Sequence, residues 1–176
     1  MPAARLFLGL FPDASVRQDL AAWRDAWTWP RSATPVKTGR LHQTLHFIGD
    51  VERERIPELT QALSVPFDAF GMRFGHAVLW PHEIAVLEPD EAPAALMEMH
   101  AALAEVLHKF DLPVDARPYR PHVTLARRAG GALPPPQGPP IEWMIDRYAL
   151  MESTLGPDGG YTVVREFAPP TSQDLG

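Results

Sequence analysis

The chain has 176 residues, 45% of them hydrophobic, which suits one domain or two small lobes sharing a core. With no cysteine there is no disulfide frame, thiolate zinc site or cysteine nucleophile, and a reducing, cytoplasmic setting is expected. Acidic residues (22) outnumber basic ones (16) for a net charge of −6, which argues against duplex DNA or any long nucleic acid as a general partner but allows a local anion site.

Residues 4–11 read as a central strand stopped by Pro12-Asp13; its apolar part is too short for a signal segment or a membrane span, so no membrane partner is expected. Residues 13–27 read as a helix capped by Asp13, with Val16, Leu20, Trp23 and Trp27 as its buried stripe. From Leu41 to Ile48 the residues alternate as in a strand, and Gly49-Asp50 marks a turn. A helix near 53–63 follows, then extended segments near 67–80 and 83–88. The strongest helical pattern spans 92–110, with Pro93 near its start and Leu96, Met99, Leu103, Val106, Leu107 and Phe110 on one side. Pro121 opens a second alternating strand. After a Gly- and Pro-rich loop at 129–140, strands at 141–152 and 161–167 form a long hairpin closed by "GPDGG". This irregular alternation predicts an α+β fold with mixed or antiparallel sheets.

Chemistry concentrates in two places. Residues 31–47 carry Arg31, Lys37 and Arg40, and residues 117–128 carry Arg117, Arg120, Arg127 and Arg128, with no acidic residue in either run. Each basic island contains His-x-Thr followed by Leu, "HQTL" at 42–45 and "HVTL" at 122–125. Side chains two apart on a strand share a face, so each strand offers an imidazole and a hydroxyl roughly 7 Å apart along the chain. The copies stand about half the chain apart, as two similar lobes lining one groove would place them.

The other histidines, His76, His82, His100 and His108, read as structural, each bonded to backbone. His46 is the closest case, because plain alternation puts it on the face of His42 and Thr44, where it would line the groove. Trp23 and Trp27 read as core, and so does Trp80, with stacking on a base as its alternative. Metal binding is disfavoured: on a strand His42 and His46 lie roughly 13 Å apart, too far to share an ion, and no His-Glu-x-x-His occurs. Nucleophile elbows and phosphate-binding glycine loops are absent too. Two facing imidazoles suit acid–base attack on a phosphodiester, one taking a proton from water and the other giving one to the leaving sugar oxygen. Threonine hydroxyls and arginine forks would hold the non-bridging oxygens.

"HQTLHFIG" and "HVTLAR" resemble the paired motifs of the 2H phosphoesterase superfamily, in particular its bacterial RNA 2′,3′-cyclic phosphodiesterase branch, historically called 2′-5′ RNA ligase. The resemblance extends to "RLFLGLFPDASVRQDLAAW", "AVLW", "RPHVTLARR" and "MESTLGPDGGYTVVREF", and so covers most of the chain in order. It implies a bilobal, pseudo-twofold α+β fold over residues 1–167 with a central cleft and one motif per lobe, a tail at 168–176, and no cofactor or metal. It implies hydrolysis of a terminal 2′,3′-cyclic phosphate to a 2′-phosphate, with His42 as proton donor, His122 as proton acceptor and Thr44 and Thr124 on the phosphate. Arg127, Arg120 and His46 are the candidate phosphate or substrate contacts. RNA 3′ ends or nucleotides bearing the cyclic phosphate would be the partners of a monomer, with reverse 2′-5′ ligation open in vitro. Alternatives are a phosphodiesterase for another small cyclic or 2′-5′ nucleotide, a non-catalytic binder of RNA ends and a metal-dependent hydrolase.

Overall fold

Apolar patterning sorts the strands into two sheets. The computed structural model describes residues 2–156 and 159–170, so Pro157 and Asp158 of the expected hairpin turn, and 171–176 of the expected tail, lie outside it. β1 (Ala3–Leu10) is buried on both sides along most of its length and lies inside the first sheet. It pairs on one flank with β3 (Gln43–Glu52) and on the other with β8 (Tyr148–Ser153), which carries β9 (Tyr161–Phe167). The second sheet runs β2 (Thr34–Pro35), β6 (Val123–Arg127), β5 (Ile84–Pro89), β4 (Phe70–Trp80) and β7 (Ile141–Ile145). Every strand pair among the described residues is antiparallel, as the expected α+β class allows.

The predicted strand at 141–152 is two strands in different sheets. Ile141, Trp143 and Ile145 alternate inward, then Asp146 and Arg147 are both exposed, and Tyr148 to Met151 are buried without alternation. Two consecutive outward residues break a ladder, and the doubly buried run that follows suits a strand inside the other sheet.

The helices follow their stripes. In α1 (Ala14–Asp25) the Asp13 carboxylate accepts from the Val16 N–H at 2.9 Å, satisfying an orphan donor of the first turn. Trp27, expected in this helix, lies beyond its end but stays buried and stacks on Trp29. After a short 3₁₀ turn, α2 (Ile56–Ala62) occupies the middle of the predicted 53–63 segment. α3 (Ala94–Lys109) buries Leu96, Met99, Leu103 and Leu107. One continuous core joins both sheets and the helices, and a separate small cluster of Phe7, Ala149 and Met151, with Phe11 against it, lies elsewhere on the first sheet. Among the described residues, no helix is long and apolar enough to cross a membrane.

Tyr148 ties β8 to the end of α2, its hydroxyl donating to the Leu63 carbonyl at 2.6 Å and accepting from the Val65 N–H at 2.9 Å. Tyr148→Phe strands both backbone groups in a buried place. Urea unfolding should show a loss of about 1–3 kcal/mol; a change within 0.3 kcal/mol or so would mean that these groups find other partners.

Candidate active site

Both motifs break their ladders at the same residue. Along β3 the register passes from Leu8 opposite His46 to Gly9 opposite Thr44, leaving Leu45 unpaired; along β6 it passes from Ala85 opposite Ala126 to Val86 opposite Thr124, leaving Leu125 unpaired. Each is a β-bulge, and the extra residue reverses the alternation beyond it. From Leu41 and from Pro121 the burial sequence is the same: buried, half-buried, buried, half-buried, buried, buried, exposed.

This corrects the placing of His46. Instead of sharing the face of His42 and Thr44, it is 5% exposed against α3. Its Nε2–H donates to the His100 carbonyl at 2.9 Å and its ring stacks on the His100 ring at 3.9 Å. Burial pushes His100 down to about 4 and lowers His46 as well, so both rings are neutral near pH 7. The same reversal works in favour of Arg127. Plain alternation set it with Val123 and Leu125, but it is exposed, and its charge acts on both motif imidazoles.

The motif histidines are held alike. The Arg40 carbonyl accepts from His42 Nδ1–H at 2.7 Å, and the Arg120 carbonyl accepts from His122 Nδ1–H at 2.8 Å. Because a carbonyl only accepts, each neutral ring has its proton on Nδ1 and its lone pair on Nε2. Nε2 of His42 lies 3.0 Å from the Thr44 hydroxyl. The pinning groups are backbone carbonyls two residues ahead of each histidine, which any residue would supply, so no side chain in the sequence signals them.

The two rings differ in their walls. Phe11 stacks on His42 at 5.0 Å, while Phe7 and Tyr161 close two further sides at 5.2 and 5.3 Å. A Cβ at Gly9 would come within 3.4 Å of the His42 ring and closer still to Phe11, so the glycine makes room for this packing. His122 instead faces Trp80 at 4.2 Å. Trp80 is thus half-buried beside the site rather than in the core. Its indole N–H and the Arg120 guanidinium both donate to Glu88 Oε1 at 2.7 Å, and Arg120 lies over the indole ring. Arg120 therefore reaches the site through its carbonyl and through Trp80, with its charge engaged by Glu88.

Burial is the main force lowering both His42 and His122 from the ordinary value of 6.5. At His42 the Arg40 carbonyl opposes this, while the charges of His122 and Arg127 add to it. At His122 the Arg120 carbonyl and the Glu88 carboxylate oppose it, while Arg120 and Arg127 add to it. Both shifts disfavour the charged imidazoles, and Arg127 can meet an anion held near both rings. Among the described residues, no three His, Asp or Glu side chains gather in a way that could hold a metal ion.

Beside His42 opens a cavity of about 520 Å³, lined by Arg5, Arg40, Phe47, Arg127 and Tyr161 among others. A larger hollow of about 730 Å³ is lined by Arg73, Asp90 and Glu142 among others and by no residue of either motif, so size alone does not mark the site. Sequence reading missed Phe7, Phe11, Phe47, Tyr161 and Glu88, which reach the site from β1 and the segment after it, β3, β9 and β5.

The profile of the 2'-5' RNA ligase superfamily matches residues 11–157. The RNA 2',3'-cyclic phosphodiesterase of Thermus thermophilus is 30% identical over 183 residues, covering 93% of this chain and 89% of its own. The Escherichia coli protein of the same name is 28% identical over 160 residues, covering 86% and 85%. Among solved structures, Escherichia coli LigT complexed with 3'-AMP superposes with a TM-score of 0.88 at 24% identity, over 96% of this chain and 99% of that one. TT0787 of Thermus thermophilus gives 0.75 at 27% identity, over 93% and 97%. The LigT likeness speaks for the fold alone, whereas the profile spans most of the chain and takes in both motifs. The chain belongs to the 2'-5' RNA ligase superfamily, the 2H phosphoesterases.

Proposed function

We propose that the chain hydrolyses the terminal 2′,3′-cyclic phosphodiester of RNA to a 2′-phosphomonoester, with His42 and His122 as the acid–base pair and no metal ion in the reaction. The observation that carries this reading is the matched pinning of the two rings: both Nδ1–H groups are bound to carbonyls, which leaves two Nε2 atoms for chemistry. The names of the Thermus and Escherichia relatives support the substrate.

The reacting phosphate would lie between the rings, near Arg127, with the hydroxyls of Thr44 and Thr124 donating to its non-bridging oxygens. His122, neutral, takes a proton from water as the water oxygen bonds to phosphorus. The bond from phosphorus to the 3′ oxygen breaks, and His42, protonated, gives its proton to that oxygen. An RNA 5′-hydroxyl in place of the water would form a 2′-5′ linkage by the same steps, which is the ligation open in vitro. Residues 1–167 act here as one bilobal catalytic unit.

A second reading exchanges the two roles. It is favoured by Glu88, the carboxylate that raises His122 toward its protonated form while His42 has no such partner acting on it.

The first test is turnover of an oligonucleotide ending in a 2′,3′-cyclic phosphate, with and without excess EDTA. A 2′-phosphate product and undiminished rate are expected; a 3′-phosphate product, or activity lost to EDTA and restored by a divalent ion, overturns the reading.

The second is the pH profile of kcat/KM, which reports the free enzyme. Because burial disfavours both cations, the bell should be centred at lower pH than an exposed histidine pair near 6.5 would give. The apparent constants belong to the coupled pair. His42→Ala and His122→Ala should each cost on the order of 10² to 10⁴ in kcat. His42→Ala should abolish the alkaline limb, where the acid loses its proton, and His122→Ala the acidic limb, where the base gains one. Interchanged limbs would establish the second reading.

A further inference from the structure

The wall of the cavity beside His42 exceeds what one cyclic phosphate requires. Phe47 is 69% exposed and Tyr161 37%, and both rest against Phe7, at 6.2 and 4.9 Å between ring centres. Two cations, Arg5 and Arg40, line the same cavity, and the Arg40 guanidinium lies 5.8 Å from the Tyr161 ring centre. Arg53, Arg73, Arg117 and Arg147 all pair with carboxylates. Among the described residues neither Arg5 nor Arg40 does so, although Asp50 lies opposite Arg5 across the strand pair. No carboxylate is among the described residues lining the cavity. In a chain of net charge −6, a pocket with only arginines for its charges and with uncovered aromatic rings is suited to an anion and a flat, unpaired base.

We propose that this wall is a subsite for the nucleotide on the 5′ side of the reacting one, so that the enzyme acts on the end of a single-stranded RNA in preference to a mononucleotide. The inference rests on the cyclic phosphodiesterase reading above. A 3′-terminal nucleotide continues in the 5′ direction alone, so a second anion near the site is the phosphodiester that joins it to its neighbour. Arg127 acts on both imidazoles and so belongs with the reacting phosphate, which leaves Arg5 and Arg40 for that second phosphate. Phe47 and Tyr161 then supply π-faces for a base, which stacking allows whatever its sequence. The cavity volume of about 520 Å³ falls within the range of ligand sites, roughly 300–1,000 Å³.

The experiment compares kcat/KM for uridine 2′,3′-cyclic phosphate and for the dinucleotide ApU with the same cyclic end. The wild type should favour the dinucleotide by about tenfold or more. Phe47→Ala, Arg5→Ala and Arg40→Ala should each reduce that ratio several-fold, and added salt should reduce it further, as expected for an extra phosphate contact. Phe47 is largely exposed, so its truncation leaves the core intact. Equal efficiency on both substrates in the wild type, or a ratio that survives all three substitutions, overturns the subsite and leaves the cyclic phosphodiesterase reading standing. Turnover of neither substrate overturns both.

Discussion

Two imidazoles can share one phosphate only if strands from different sheets are held at a fixed spacing, and the Tyr119 hydroxyl supplies a direct tie. It donates to the Thr44 carbonyl and accepts from the Gln43 side-chain amide, both at 2.9 Å. Tyr119 is three residues ahead of His122, while Gln43 and Thr44 belong to the other motif, so one hydroxyl fastens each motif to its counterpart. Gln43 is fully buried, and burial raises the Tyr119 hydroxyl well above its ordinary range, keeping it a neutral donor. Losing such a bond leaves a carbonyl and an amide without partners away from water, which costs more than the bond contributes when made. The tie continues outward, since Tyr119 stacks on His100 and His100 on His46. His46, the second histidine of the first motif region, thereby serves the geometry of His42.

Within this frame the electrostatics are local. The chain is acidic overall, yet Arg5, Arg40 and Arg127 meet around His42, and the carboxylate acting on the motif pair is set behind His122. Aromatic walls lower the dielectric around both rings, which makes each protonated form costly until an anion arrives. A bound phosphate reverses part of that cost. On the proposed mechanism, an incoming phosphate would thereby help to protonate whichever imidazole serves as the acid.

Much of this was legible in the sequence. The paired His-x-Thr-Leu motifs, the Asp13 cap and the α1 and α3 stripes depend on residues close together in the chain, and spacing alone reveals them. His46 and Trp80 did not yield to the same reasoning. A bulge is a property of two strands in register, and nothing in "HQTLHF" read alone says that Leu45 will go unpaired. The break at Asp146-Arg147 was visible as two adjacent polar residues, but which sheet receives the next strand depends on β1 lying beside it. The aromatic box around His42 draws on β1, on the segment after it and on β9, and no spacing rule joins positions so distant.

The matched bulges also allow the two strands to be compared position by position. Buried and exposed sites coincide through the motif, and the occupants then diverge: His46 on one strand answers to Ala126 on the other, and Phe47 to Arg127. The buried divergence follows from the neighbours, since α3 lies against β3 and offers the His100 carbonyl and ring to a partner that an alanine could not serve. The exposed divergence bears on the chemistry. A cyclic phosphate is not symmetric, because one of its oxygens leaves while water enters opposite and the rest of the RNA extends to one side only. A symmetric frame can place two similar imidazoles about the phosphorus, but it cannot by itself distinguish entering from leaving groups. On the proposed reading, an aromatic ring at one exposed site and a guanidinium at the equivalent other, with Glu88 acting on His122 alone, would give the two motifs different affinities for base, phosphate and proton.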